Sequence, residues 1–218
     1  VSQFAASRDS SKRPRLLLSR NNNAAATPTQ RLDIFNCSAN CTTPDRQILL
    51  SSTVVGTYWK GLSVAVSSGN FALLTYWQVT SSSAATLRFY QCNVTGSCTS
   101  TTKPASSPIT LETLSGASLA VGLTSITTTS SGFPAITYSW KPTTPPNTNV
   151  AICENLDCSS RDIYSTLDND SNPKIIRLPS GNLRIFSTRN VISTSLKLIR
   201  CNATCSGAWP AEVNVESN

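Results

Sequence analysis

The 218 residues include no His and no Met. Without His the chain lacks the commonest general base at neutral pH and the commonest metal ligand. Ser-His-Asp and Cys-His catalysis are therefore excluded, as are zinc sites that need His. Charge is sparse, at 13% of residues, and aromatics are 7%. No apolar stretch approaches the ~18 residues of a membrane-spanning helix, and the Ala, Leu, Glu and Lys runs that sustain long helices are scarce. What is abundant is 34 Ser and 27 Thr, more than a quarter of the chain. With β-branched apolar residues, these suit strands and turns. The chain opens at Val1, read as removal of a leader or excision from a longer chain.

The eight cysteines fall into four short pairs: Cys37 with Cys41, Cys92 with Cys98, Cys153 with Cys158, and Cys201 with Cys205. The intervening residues number three, five, four and three. Zinc knuckles hold a tighter and more constant spacing, whereas a disulfide across a turn tolerates drift in loop length. Four local disulfides and an oxidising compartment are expected; a metal cluster or free thiols are the alternatives. Each such bridge is worth roughly 2 kcal/mol on the loop-entropy view. Asn36, Asn40, Asn93, Asn169 and Asn202 each begin an N-x-S/T sequon. Asn40, Asn93 and Asn202 sit between paired cysteines, so the expected turn tips are candidate glycan sites, although Asn is also a good turn residue.

Aligned on the cysteines, the chain shows a repeat, with successive first cysteines 55, 61 and 48 residues apart. Each copy runs strand, turn, strand, polar loop, strand, cysteine pair, strand. The second copy reads GLSVAV, SSGN, FALLTYW, a Ser-rich loop and TLRFYQC; the fourth reads PKIIRL, PSGN, LRIFST and SLKLIRC. The third has SLAVGL, FPAITYSW and VAIC, and the eroded first has SQFAAS, PRLLLSR and RLDIFNC. The fourth segments are RQILLSS, PITLETL, RDIYSTL and AEVNVES. Alternation such as Leu196 and Leu198 about Lys197 is the two-residue period of a half-buried strand. The expectation is an all-β chain of four antiparallel four-stranded repeats, 1–52, 53–114, 115–168 and 169–218, in one repeat domain. A lone sheet of this kind must stack on neighbours, as a closed four-bladed ring or as an open array.

Through motifs such as SGN-x-RIF at Ser180 to Phe186 and L-K-L-I-R-C-N-x-x-C at Leu196 to Cys205, the chain resembles tandem β-propeller-like repeats of secreted and surface proteins. In these, the third strand ends in a cysteine hairpin. The resemblance covers almost the whole chain and implies blades, not a chemistry. Strands in propellers are often exchanged between the termini, yet this chain starts and stops at repeat boundaries, which favours an open array.

Net charge is +7. Residues 1–35 carry six basic and two acidic residues, and 172–205 carry six basic and none acidic. Such ends favour a polyanion, or form a solvated basic face. Tyr58, Trp59, Tyr76, Trp77, Tyr138 and Trp140 suit seams between sheets, with sugar stacking as the alternative. Asp162, Asp168 and Asp170 are turn residues or a weak calcium site more than an acid/base pair. No catalytic residue, cofactor or metal ligand is assigned. The expected role is an extracellular or cell-surface structural protein, a disulfide-stapled and glycosylated subunit of a filament, sheath or coat. Its partners would be copies of itself, head to tail, or neighbouring repeats of a longer chain. The alternative is a secreted lectin or adhesin for acidic glycans. Neither nucleic acid nor a membrane span is expected.

Overall fold

A computed structural model describes residues 3–22, 29–37, 42, 45–54, 56–93, 108–116, 120–141, 147–166, 170–190, 194–201 and 213–216. They form sixteen strands in four antiparallel sheets. The first sheet holds β1 (Gln3–Arg8), β2 (Pro14–Asn22), β3 (Thr29–Asn36) and β4 (Asp45–Ser52). The second holds β5 (Tyr58–Val66), β6 (Phe71–Ser81), β7 (Ala84–Asn93) and β8 (Ile109–Ser115). The third holds β9 (Ala120–Thr128), β10 (Pro134–Lys141), β11 (Asn147–Cys153) and β12 (Arg161–Thr166). The fourth holds β13 (Asp170–Arg177), β14 (Leu183–Asn190), β15 (Thr194–Cys201) and β16 (Val213–Glu216).

Every sheet is a meander of four consecutive strands. Among the described residues no strand passes from one sheet to another, and no sheet closes into a barrel. The closed four-bladed ring is therefore not supported. The strand exchange that would latch first to last is missing, and what stands is four open sheets.

The first turn of each sheet is built identically. Asp9, Ser67, Thr129 and Leu178 each donate their N–H to the carbonyl four residues on, at 3.1, 2.9, 2.7 and 2.8 Å. Each also accepts at its carbonyl from the N–H three residues on. The residue at that third place is left-handed: Lys12 at φ 62°, Asn70 at 60°, Gly132 at 83° and Gly181 at 87°. This is the three-residue hairpin loop, a type I turn followed by an αL residue, whose twist matches the strands. Side chains reinforce it, since Asp9 Oδ1, Ser67 Oγ and Thr129 Oγ1 accept from the N–H of Arg13, Phe71 and Phe133.

The chain packs as two compact units, Val1–Ala117 and Ser118–Asn218. In the first, β5 lies against β1 and β2. Leu17, Leu32 and Ile34 of the first sheet meet Val64, Leu74 and Tyr76 of the second. Gly61 N–H donates to Gln3 Oε1 at 2.7 Å across this seam, and Ser10 Oγ to Asn70 Oδ1 at 3.1 Å between the turns. In the second unit β13 lies against β9, β10 and β11. Ala135, Val150 and Ile152 meet Ile175, Ile185 and Ile199, while Ile175 N–H donates to Ser125 Oγ at 3.2 Å and Arg177 Nη1 to the Thr129 carbonyl at 2.7 Å.

Candidate functional site

Alternation along each strand sends one set of side chains into a seam and the other outward. On the first sheet the outward set begins with Phe4, which pairs with Leu18, and Ala6, which pairs with Leu16; Leu16 in turn pairs with Phe35. Phe4 is 77% exposed, and Ile48, opposite Asp33, is 45% exposed. An open cavity of about 350 Å³ lies here, lined by Phe4, Leu16, Leu17, Leu18 and Phe35. The outward set is thus apolar, where a solvent-facing strand would carry polar residues.

One carboxylate stands within it. Asp33 is fully buried, and its Oδ2 accepts from Arg46 Nη2 at 2.9 Å and lies 3.4 Å from Arg20 Nε. The Arg20 guanidinium also covers the Phe35 ring, 5.9 Å from its centroid. Asp33 Oδ1 is enclosed and has no hydrogen-bond partner among the described residues. Burying a carboxylate oxygen without a donor is costly, and the two arginines at Oδ2 offset part of that cost.

The fourth sheet presents a second outward face. Ile176, Arg184 and Arg200 lie across one line of the sheet, and Lys174, Phe186 and Leu198 across the next. Lys174 and Arg200 are exposed, Ile176 is 38% exposed, and Arg184 is half-buried. Arg184 Nη1 donates to the Leu183 carbonyl at 2.8 Å and to that of Cys201 at 3.4 Å. Among the described residues every ion pair lies in the first sheet, so these three cations have no carboxylate against them.

Sequence reasoning missed a latch beneath the first turn. Asp9 Oδ2 accepts from Arg13 Nε and from Arg15 Nη2, each at 2.8 Å, and the Asp9 and Arg15 side chains are 0% and 2% exposed. Arg15 Nη1 continues to the Pro14 and Cys37 carbonyls at 3.3 and 3.2 Å. Burial pushes the Asp9 carboxyl up, but the Arg13 N–H bond, the Arg13 side chain and the Arg15 charge outweigh it and leave its pKa lowered. The signal available was an acid opening a turn, followed by arginines at alternate positions.

Of the cysteines, Cys153 and Cys158 are bridged across the turn after β11, with their Cα atoms 4.9 Å apart. Cys37, Cys92 and Cys201 are also disulfide-bonded, while Cys41, Cys98 and Cys205 lie outside the described residues. So do Asn40, Asn169 and Asn202. Asn36 ends β3 with a half-buried side chain, and Asn93 ends β7. Trp59, Tyr76, Trp77 and Tyr138 are buried, whereas Tyr58 and Trp140 are half-buried.

Asp168 lies outside the described residues. Asp162 is exposed and accepts from Tyr164 Oη at 3.3 Å. Burial and then the Asp162 charge and hydrogen bond push the Tyr164 phenol up. Burial raises Tyr76 as well, and Tyr90 to about 12.

No family profile matches the chain, and no curated protein does. Among solved structures it is similar to polysaccharide lyase Uly1, at 6% identity and a TM-score of 0.59, over 97% of this chain and 49% of that one. The chain thus spans about half the length of that structure. It is also similar to a protein of unknown function from Dyadobacter fermentans DSM 18053, at 9% identity and a TM-score of 0.43, over 98% of this chain and 82% of that one. The first likeness bears on fold alone: an all-β, repeat-like architecture.

Proposed function

We propose that the protein is an extracellular structural building block that assembles with copies of itself through the outward faces of its sheets. The observation that carries this reading is the apolar face of the first sheet, with Phe4 77% exposed beside Leu16, Leu18 and Phe35. The sheets act as propeller-like repeats in an open row, the cysteine hairpins staple each repeat, and glycans on the hairpin turns coat the assembly. Open head-to-tail contact makes a fibre when its rotation does not close. Negative-stain electron microscopy without reductant, over a range of concentrations, tests it. Regular fibres or sheets are expected; discrete particles at every concentration would overturn the reading.

A second reading draws on the fourth sheet, where Lys174, Arg184 and Arg200 have no carboxylate partner among the described residues. This face suits the carboxylates or sulfates of an acidic polysaccharide, and the likeness in fold to a polysaccharide lyase lends the idea context. The role proposed is binding, with Arg184 and Arg200 cross-strand neighbours that can meet successive anionic groups. Retention on an immobilised acidic polysaccharide, released by salt and lost in R184E/R200E, supports it; unchanged retention in that variant would count against it.

A further inference from the structure

The first turn and the closing cysteine put all four repeats in one register. Counting from Asp9, Ser67, Thr129 or Leu178 through the turn, and back from Cys37, Cys92, Cys153 or Cys201, identifies equivalent positions. The second sheet seats on the first through Leu62, Val64, Leu74, Tyr76 and Tyr90. The fourth seats on the third through Ile175, Ile185 and Ile199. The same positions of the first sheet are Phe4, Ala6, Leu16, Leu18 and Phe35, which is the outward apolar face. It is a seating face with no sheet in front of it in the chain order.

The converse holds at the other end. The first sheet receives the second on Leu17, Leu32 and Ile34. The equivalent positions of the fourth sheet are Phe186, Leu196 and Leu198, and Phe186 and Leu198 are cross-strand partners on its outward face. The arginines agree. Arg15 Nη1 and Arg184 Nη1, six residues after the start of their turns, each bond the preceding carbonyl and the carbonyl of the closing cysteine. In the first sheet this arrangement underlies a receiving face, so the fourth sheet is built in the same way to receive.

We infer that the outward face of the first sheet seats on the outward face of the fourth sheet of a second copy, in the register already used between sheets inside each unit. This rests on the self-assembly reading above and adds the two faces that meet and their register: first sheet on fourth, front to back and never front to front. Phe4 and Phe35 enter the space beside Phe186 and Leu198. Both faces carry more cations than anions, through Arg8, Arg20 and Arg46 on one and Lys174, Arg184 and Arg200 on the other, so added salt strengthens the contact by screening.

The test is sedimentation velocity on the full oxidised chain with F4D, which spoils only the front, and F186D, which spoils only the back. Wild type is expected to associate with rising concentration, and each variant alone to associate at least tenfold more weakly. An equimolar mixture should recover a heterodimer that grows no further, since one good front meets one good back. Thermal unfolding checks that both variants fold, and L198K, at the cross-strand partner of Phe186, replaces F186D should the latter not fold. If F186D alone still dimerises, the contact is front to front and the inference falls while self-assembly stands. If F4D alone still dimerises, it is back to back, with the same consequence. A wild type monomeric at every concentration overturns both readings.

Discussion

Asp9 and Tyr76 show how differently two buried polar side chains contribute. Asp9 is held by three hydrogen bonds from Arg13 and Arg15, and D9N would leave Arg15, 2% exposed, with a buried charge facing a neutral amide. Breaking one side of a buried pair costs about 3 kcal/mol, read as a lower urea midpoint. The pH dependence follows from the lowered carboxyl: the stability Asp9 contributes is complete above its ordinary value of 3.8 and is lost as pH falls through its lower folded value. Urea midpoints between pH 6 and 2 should therefore fall more for wild type than for D9N; parallel curves would refute this. The Tyr76 hydroxyl is enclosed in the seam of the first unit without a partner among the described residues. Y76F removes an unsatisfied group at unchanged shape, so it should leave stability unchanged or raise it by up to about 1 kcal/mol. A loss above 1 kcal/mol would reveal a partner for that hydroxyl. The burial of Tyr76 was readable, because large residues recur at the end of the second strand, as a seam requires; that of Asp9 was not, because it sits in a polar turn, RDSSKR, that reads as solvated.

At the scale of elements, strands and turns were legible and the meeting of turns was not. Period-two alternation marks each hairpin locally, with SSGN or PSGN at two of the first turns and Ser-rich turns at the other two, and the four turns share one hydrogen-bond pattern. Their approach to neighbouring turns depends on seams formed by residues far apart in sequence. Gly181 illustrates this. Its φ of +87° already favours glycine, and a Cβ built there would lie 3.1 Å from Ser130 Cβ in the turn of the adjoining sheet. G181V should therefore cost about 2 kcal/mol, from the left-handed backbone and the crowded turn together. A G181V/S130G double variant should recover the part due to crowding; recovery of nothing would place the whole cost in the backbone. The cysteine hairpin after β11 closes so short a loop that it stabilises one turn rather than the whole sheet.

For the whole molecule, charge decides between the two readings of its outward faces. Contact between like-charged faces tightens with salt, whereas binding to a polyanion loosens with it. Raising NaCl from about 50 to about 500 mM should increase self-association severalfold by sedimentation; a severalfold decrease would show that attractive charge pairs, not screened repulsion, govern the contact. The sequence by itself determined that this is an all-β chain of four repeats with turns and cysteines at matching places, because alternation, turn chemistry and spacing are written within a few residues. It could not decide between ring and row, since alternation within a repeat says nothing of how repeats meet; the described residues form four open meanders. Tertiary structure alone decided that Asp9 and Arg15 are buried together, and that among the described residues Asp33 Oδ1 has no partner and Phe4 is 77% exposed. The physical reason is shared: alternation says that a strand has two faces, but only the packing of a neighbouring sheet determines which of them loses its water.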